Sequence, residues 1–260
     1  MVIQKNLITS FNKFRQKIKE KNIVIEKFEV YIDLIFYWIV YEAFLHSNRR
    51  MDKLYQKYLS DYHTAEIFYR ENFPDGIPKD AKILDAGCGR GRVAAVLTQL
   101  GCETTSFDIG KNNFWGAIEN QLFFMADVQY IPIKNESFDY CTNFLVLEYV
   151  NDDVKAIMEL YRILKSNGIL IIHVTTKENL KTKFSGKRLD EDHFREYFID
   201  EIKNKVASAG FIVEHISTFG FYSPIFTRFI NNIISRTQWK KMGDLVSEDN
   251  RGVICIQCRK

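Results

Sequence analysis

Proline is scarce in this chain, with 4 in 260 residues, and glycine reaches only 13. Collagen-like, Pro/Gly-rich and low-complexity architectures are thereby excluded. Cysteine is also sparse, and its count of five is odd. The spacings of Cys88, Cys102, Cys141, Cys255 and Cys258 make no disulfide framework. Cys255 and Cys258 have C-x-x-C spacing but fall in a run that reads as a strand. Residues three apart on a strand point to opposite faces, so the pair is a poor chelate and no metal site is expected. Reduced thiols, and with them a cytoplasmic location, are the simpler expectation.

Long hydrophobic runs are missing too. The most apolar stretch, 30–45, is interrupted by Asp33 and Glu42, and its longest uncharged run is the eight residues 34–41. A membrane span needs roughly 20. Residues 1–10 lack an uninterrupted apolar core after their first charge, so no secretory leader is expected. There is no strong net charge either: the total is +3, of which residues 1–27 contribute +5 from seven Lys/Arg and two Glu. The rest therefore sums to −2 (3 minus 5), which disfavours nucleic acid as a partner. The basic N-terminus reads as a solvated helix face, with peripheral membrane contact left open. Oligomeric state is not set by any of these features.

Aromatic residues are abundant, with 21 Phe and 13 Tyr, enough to line a pocket as well as a core. Residues 1–73 contain neither Pro nor Gly and read as helical, including the aromatic-rich stretch 31–44. The segment 74–78, P-D-G-I-P, punctuates the chain. Beyond it, short apolar runs alternate with amphipathic stretches, the signature of βαβ units and a parallel sheet. Strands are expected at 82–85, 103–107, 122–125, 138–144, 169–174, 211–217 and 253–258. Helices are expected after the first strand, with Val93, Val96, Leu97 and Leu100 on one face and Gly101 as its stop, then from Asn151 to about Gly168, and over 200–209 with Gly210 as its cap. Residues 112–122 show no clear helical pattern. An insertion, 219–250, carries an apolar stripe of Ile225, Phe226, Phe229, Ile230, Ile233 and Ile234. It reads either as a helix packed on the N-terminal helices or as a lid or interfacial helix meeting an apolar substrate or membrane.

The chemistry-bearing feature is residues 83–91, I-L-D-A-G-C-G-R-G. A strand delivers Asp85, and three alternate glycines then turn into a helix. Such a turn lets a ligand approach the backbone closely. A dinucleotide fingerprint would have glycine at the sixth position counted from Gly87, but that position is Arg92. Asp85 also suits a cationic ligand better than a pyrophosphate.

This turn resembles motif I of the class I S-adenosylmethionine-dependent methyltransferases, and further blocks follow in the same order. Asp108 resembles the acid that holds the ribose hydroxyls, and A-D-V at 126–128 the segment bracketing the adenine. I-P at 131–132 with E-S-F-D at 136–139 resembles the entry to the fourth strand. L-E-Y-V at 147–150 is similar to that family's L-E-H-V, with Tyr149 in place of His. E-L-Y-R-I-L-K at 159–165 with Gly168 resembles E-x-x-R-x-L-K-P-G-G, with Ser166 and Asn167 replacing Pro and the first Gly. The resemblance spans about 80–218, with a last strand near 253–258. It implies a Rossmann-like seven-stranded, mostly parallel sheet flanked by helices, with an N-terminal helical extension. On that reading 1–75 is a cap or substrate region, 76–260 the cofactor-binding domain, and 219–250 a lid-like insertion.

The implied cofactor is S-adenosyl-L-methionine, bound by Asp85, Ala86, Gly87, Cys88, Gly89, Gly91, Asp108, Ile109, Asp127, Val128, Asn143 and Phe144. Asp85, Asp108 and Asp127 each end an expected parallel strand, the edge where open α/β sheets bind ligands. Taken singly, each could be a cap or turn residue. The implied reaction moves a methyl group in line to O, N or C of a small-molecule or lipid-like acceptor, and positioning supplies much of the rate. Tyr37, Tyr62, Glu148, His193 and Tyr222 are the expected acceptor-side residues. His193, in D-H-F-R-E-Y at 192–197, is the candidate general base; its plainer alternative is a helix-start histidine bonded to Asp192 or Glu196. His173 reads as a core residue. An RNA or protein methyltransferase, a non-catalytic cofactor-binding subunit and a nicotinamide-dependent oxidoreductase remain the alternatives.

Overall fold

A computed structural model describes residues 77–220 and 247–260, with breaks at 79, 92, 95–96, 98–101, 113–114, 116–120, 180–181, 184–185 and 187–191. The expected cap with Tyr37 and Tyr62, the stop at Gly101 and the insertion stripe with Tyr222 lie outside the described residues.

Seven strands form one sheet. They are β1 (Lys82–Ala86), β2 (Glu103–Asp108), β3 (Leu122–Met125), β4 (Phe138–Phe144), β5 (Leu164–Thr175), β6 (Ile212–Phe219) and β7 (Val253–Arg259). Their spatial order is β3-β2-β1-β4-β5-β7-β6. Every pairing from β3 across to β5 is parallel, and β7 runs antiparallel between β5 and β6. The chain moves outward one way from β1 and the other way from β4. That reversal opens a crevice at the carboxyl ends of β1 and β4.

The central strands are apolar on both sides because both faces are covered. On one face Leu84, Cys141, Leu170, Ile172, Ile254 and Cys258 join a single core with helix α1 (Asp153–Ile163) and helix α2 (Ile199–Ser208). On the other, Ile83 packs with Leu97 and Cys102, and Ile171 with Cys255. Cys255 and Cys258 therefore do lie on opposite faces, and all five cysteines are free. The buried Ala156, Ile157, Leu160 and Ile163 recur three and four apart along α1, the period of one helix face. Burying each large apolar side chain contributes about 2 kcal/mol.

Element ends differ from the sequence expectation in places. Helix α1 begins at Asp153, because the Asp152 side chain accepts from the Lys155 amide at 2.9 Å and caps it; Asn151 stays outside. The same helix stops at Ile163 rather than near Gly168. Leu164 turns extended to pair with Phe138, and a register shift follows before Tyr140 meets Ile169. Asn167 takes a φ of +64°, and its amide bonds Lys260 O at 3.0 Å. Thus β5 starts five residues before the expected Ile169. Strand β6 runs on through Phe219, so the insertion begins later than position 219. Gly252 N bonds Gly220 O at 3.2 Å, which brings the two ends of the insertion together. Among the described residues no helix is long and apolar enough to cross a membrane.

Candidate functional site

The carboxyl edge of the sheet gathers most of the residues singled out in the sequence. The turn after β1 is built by its glycines. Gly87, Gly89 and Gly91 have φ of +81°, +51° and +76°, a region that costs a side chain free energy. The amides of Gly87 and Cys88 both donate to Phe107 O, at 2.8 and 2.9 Å, and clip the turn to β2. A Cβ on Gly87 would stand 2.2 Å from Val146, so this glycine is also required by packing. A Cβ on Gly89 or Gly110 would meet nothing within 4 Å, so that side of the turn is open.

Asp108, at the end of β2, faces this opening. One oxygen accepts from the Gly89 amide at 2.8 Å; the other, among the described residues, has a long contact, 3.5 Å, from the Gly110 amide. Ile109 beside it is 76% exposed. Trp115 locks the same turn, donating its indole N–H to Gly89 O at 2.8 Å while its ring stacks on Phe123. The sequence reading missed Trp115. Its only signal was an indole N–H in a segment without helical pattern, close after the second strand.

Asp85 is buried at the end of β1 and accepts from Thr142 Oγ1 at 2.9 Å. Its carboxyl is pushed up to about 7: burial raises it most, the Thr142 bond opposes, the Asp108 charge adds to the rise, and the Ala94 amide opposes. Burial and the Asp85 and Asp108 charges hold the Cys88 thiol well above its ordinary range, so Cys88 is a poor nucleophile. Ala86 is buried, and its carbonyl accepts from Asn143 Nδ2 at 2.9 Å. Asn143 Oδ1 is buried without a hydrogen-bond partner among the described residues. Phe144 stacks on His173 at 4.1 Å between ring centroids.

Asp127 follows β3. Both of its carboxylate oxygens receive the Gln129 side-chain amide at 3.1 Å, and Oδ1 also receives the Gln129 backbone N–H at 2.8 Å. The Val128 side chain is part of the core. Gln129 Oε1 accepts from the Asp152 amide at 3.0 Å, which ties this loop to the start of α1. Gly91 is buried, and its amide bonds Cys88 O at 2.8 Å.

A second cluster stands next to β4. A 3-10 turn, Leu147–Tyr149, presents Glu148 and Tyr149. Residues 193–197 lie across it as a strap. Phe194 N bonds Glu148 O at 2.8 Å, Tyr197 OH bonds Leu147 O at 3.1 Å, and Arg195 bonds Asn151 O at 2.6 Å. Tyr197 also bridges to Thr176 in parallel register, extending the edge of β5. Asp153, first residue of α1, receives Tyr197 OH and pairs with Lys205 and Arg195; those two cations and the hydroxyl hold its carboxyl below the ordinary range against burial. Glu148 is fully buried; its Oε1 accepts from the Thr175 amide, and burial pushes its carboxyl up. His193 is 6% exposed, with Nε2 at 3.1 Å from Tyr149 OH and Nδ1 at 3.5 Å from Glu196 Oε1. The structure thus brings Glu148 and His193 together and adds Tyr149, which the sequence reading noted only as a departure from a motif.

A family model described as a methyltransferase domain matches residues 84–172, about a third of the chain. The chain is 30% identical over 103 residues to the malonyl-[acyl-carrier protein] O-methyltransferase of Enterobacter lignolyticus (strain SCF1), covering 38% of this chain and 41% of that protein. It is 33% identical over 103 residues to the human mitochondrial arginine-hydroxylase NDUFAF5, covering 36% of this chain and 29% of that protein. The chain thus spans less than half the length of the curated relatives named. Among solved structures, the fold resembles a Burkholderia thailandensis 1,6-didemethyltoxoflavin-N1-methyltransferase with S-adenosylhomocysteine bound. There the TM-score is 0.53 and the identity 16%, over 77% of this chain and 78% of that one.

Proposed function

On the premise that residues 84–172 form a class I S-adenosylmethionine-dependent methyltransferase domain, we propose that the whole chain binds S-adenosyl-L-methionine and methylates a small molecule. The acceptor is apolar or lipid-like and receives the methyl on O, N or C. One observation carries this reading. The open glycine turn is pinned by its Gly89 amide to Asp108 at the switch point of the sheet.

The donor set fits the cofactor's chemistry. A sulfonium nucleoside with an ammonium group calls for acidic surroundings, and Asp85 and Asp108 supply them at adjacent strand ends. Asp108 Oδ1, whose contact among the described residues is the long 3.5 Å one from Gly110, has capacity left for a ribose hydroxyl. A Cβ on Gly89 or Gly110 would meet nothing within 4 Å, so a ligand can approach the backbone there. Asn143 Oδ1 offers a buried acceptor beside the β1 end. When bound, the cofactor supplies an electrophilic methyl on sulfur. The chain's own residues orient it, keep it dry and present the acceptor. Asp85 holds the cationic end, Asp108 the ribose hydroxyls, Ile109 covers an apolar face, and Asp127 and the Val128 amide border the base. His193 serves acid–base needs from its buried position.

Exposed Tyr149, Phe194 and Phe198 border the second cluster and support an apolar acceptor. The free cysteines support a reducing, cytoplasmic compartment. The test is calorimetry with S-adenosylhomocysteine. The natural chain is expected to bind it, and Gly89→Arg, which fills the open side of the turn, is expected to abolish binding while the protein stays folded. Equal affinity in the two proteins would remove the turn from the site.

A further inference from the structure

Resting on that reading, we infer that the acceptor is a neutral hydroxyl compound, whose proton leaves through a relay from Tyr149 to His193. The observation is the order of the groups. Tyr149 is 46% exposed on the 3-10 turn that follows β4, and His193 lies behind it, almost fully buried. The rings meet edge to face at 4.8 Å, and Nε2 faces the hydroxyl at 3.1 Å. An acceptor arriving from solvent therefore meets Tyr149 before the histidine.

Among the described residues, the titratable groups around His193 come from two elements. Tyr149 and Glu148 belong to the 3-10 turn, and Glu196 lies on the strap itself. Both acidic side chains are buried. Arg195, next along the strap, pairs with Asp153 at 3.1 Å, as does Lys205, so these cations are engaged elsewhere. Such surroundings are already rich in acidic groups. They disfavour an acceptor that is itself a carboxylate, which would bring a further negative charge and has no proton to lose.

The step balances. The acceptor hydroxyl proton passes to Tyr149 Oη as the Tyr149 proton passes to Nε2 of His193. With S-adenosylmethionine bound, the acceptor oxygen would take the methyl carbon, and the sulfur would keep the electron pair of the broken carbon–sulfur bond and lose its positive charge. His193 ends as an imidazolium beside Glu148 and Glu196 and releases the proton to solvent. Tyr149 touches the acceptor and is catalytic on this proposal. His193 acts through it as a positioning and proton-holding residue.

The probe is 4-nitrophenol, whose phenolate is coloured. It is added to the S-adenosylhomocysteine complex at a pH below its own ionisation range. The natural chain is expected to bind it as the phenolate, and Tyr149→Phe as the neutral phenol. With S-adenosylmethionine, Tyr149→Phe is expected to lose ~10²-fold or more in kcat/KM for simple phenols. That deficit should shrink as pH approaches the phenol's own ionisation range, which a structural defect would not produce. Binding of neutral nitrophenol by the natural chain, equal ionisation in both proteins, or turnover confined to a malonyl thioester would each overturn the inference. Failure of the natural chain to bind S-adenosylhomocysteine would instead overturn the reading beneath it.

Discussion

Asp85 shows at the level of one residue how a proposed binding site costs stability. Its carboxyl is raised from 3.8 to about 7, with burial the largest cause. Between those values the folded chain holds a proton that the unfolded chain has released. The associated stability is complete below the lower value, falls as pH rises and is gone above the upper one. The loss is on the order of 4 kcal/mol. Asp85→Asn keeps the neutral shape at every pH. Urea titrations at about pH 8 should then show the variant more stable than the natural chain by a few kcal/mol, with weaker S-adenosylhomocysteine binding. Identical pH slopes for the two proteins would show that Asp85 does not titrate in this range. Asp85, Asp108 and the glycines were legible because each ends a strand or fills a turn. The hold of Gln129 on Asp127 was not, since it depends on loop geometry after β3.

The strap over the 3-10 turn is the element that assembles the second cluster. It is held by main-chain bonds and by Tyr197, whose buried hydroxyl donates to Asp153 at 2.8 Å and contacts Leu147 O at 3.1 Å. Burial and the Asp153 charge keep that phenol protonated at any ordinary pH. Tyr197→Phe leaves two buried oxygens short of a donor, and unfolding free energy should fall by about 1–3 kcal/mol. Cofactor affinity should be unchanged, since β1 and β2 are untouched. Matching calorimetric losses would instead tie the strap to the first cluster. Chain order alone could not reveal this element. The motif residues 147–150 and 192–197 are distant in sequence, and only the pairing of Tyr197 with β5 sets one across the other.

At the scale of the whole molecule, the core is separate from the sheet edge proposed to bind the cofactor. Ile172 is fully buried in the middle of β5, and Ile172→Ala should cost about 2–5 kcal/mol through lost burial and a cavity. A ligand that binds only the folded state adds its own increment, about 2.7 kcal/mol at a hundredfold excess over Kd. In unfolding titrations S-adenosylhomocysteine should add that increment to the natural chain and to Ile172→Ala alike, and none to Gly89→Arg. An increment lost in Ile172→Ala would mean that core and site are one cooperative unit.

Local chemistry was enough to announce the layered α/β class, the glycine turn and the acids at the strand ends, because periodicity and turn preferences act over a few residues. The helix stop at Ile163 and the early start of β5 were decided by pairing with Phe138 and Lys260. The same holds for the antiparallel β7 between β5 and β6, and for the Trp115 lock and the histidine behind Tyr149. These depend on which distant segments share an edge or a face, and contact between distant segments leaves no local period to read.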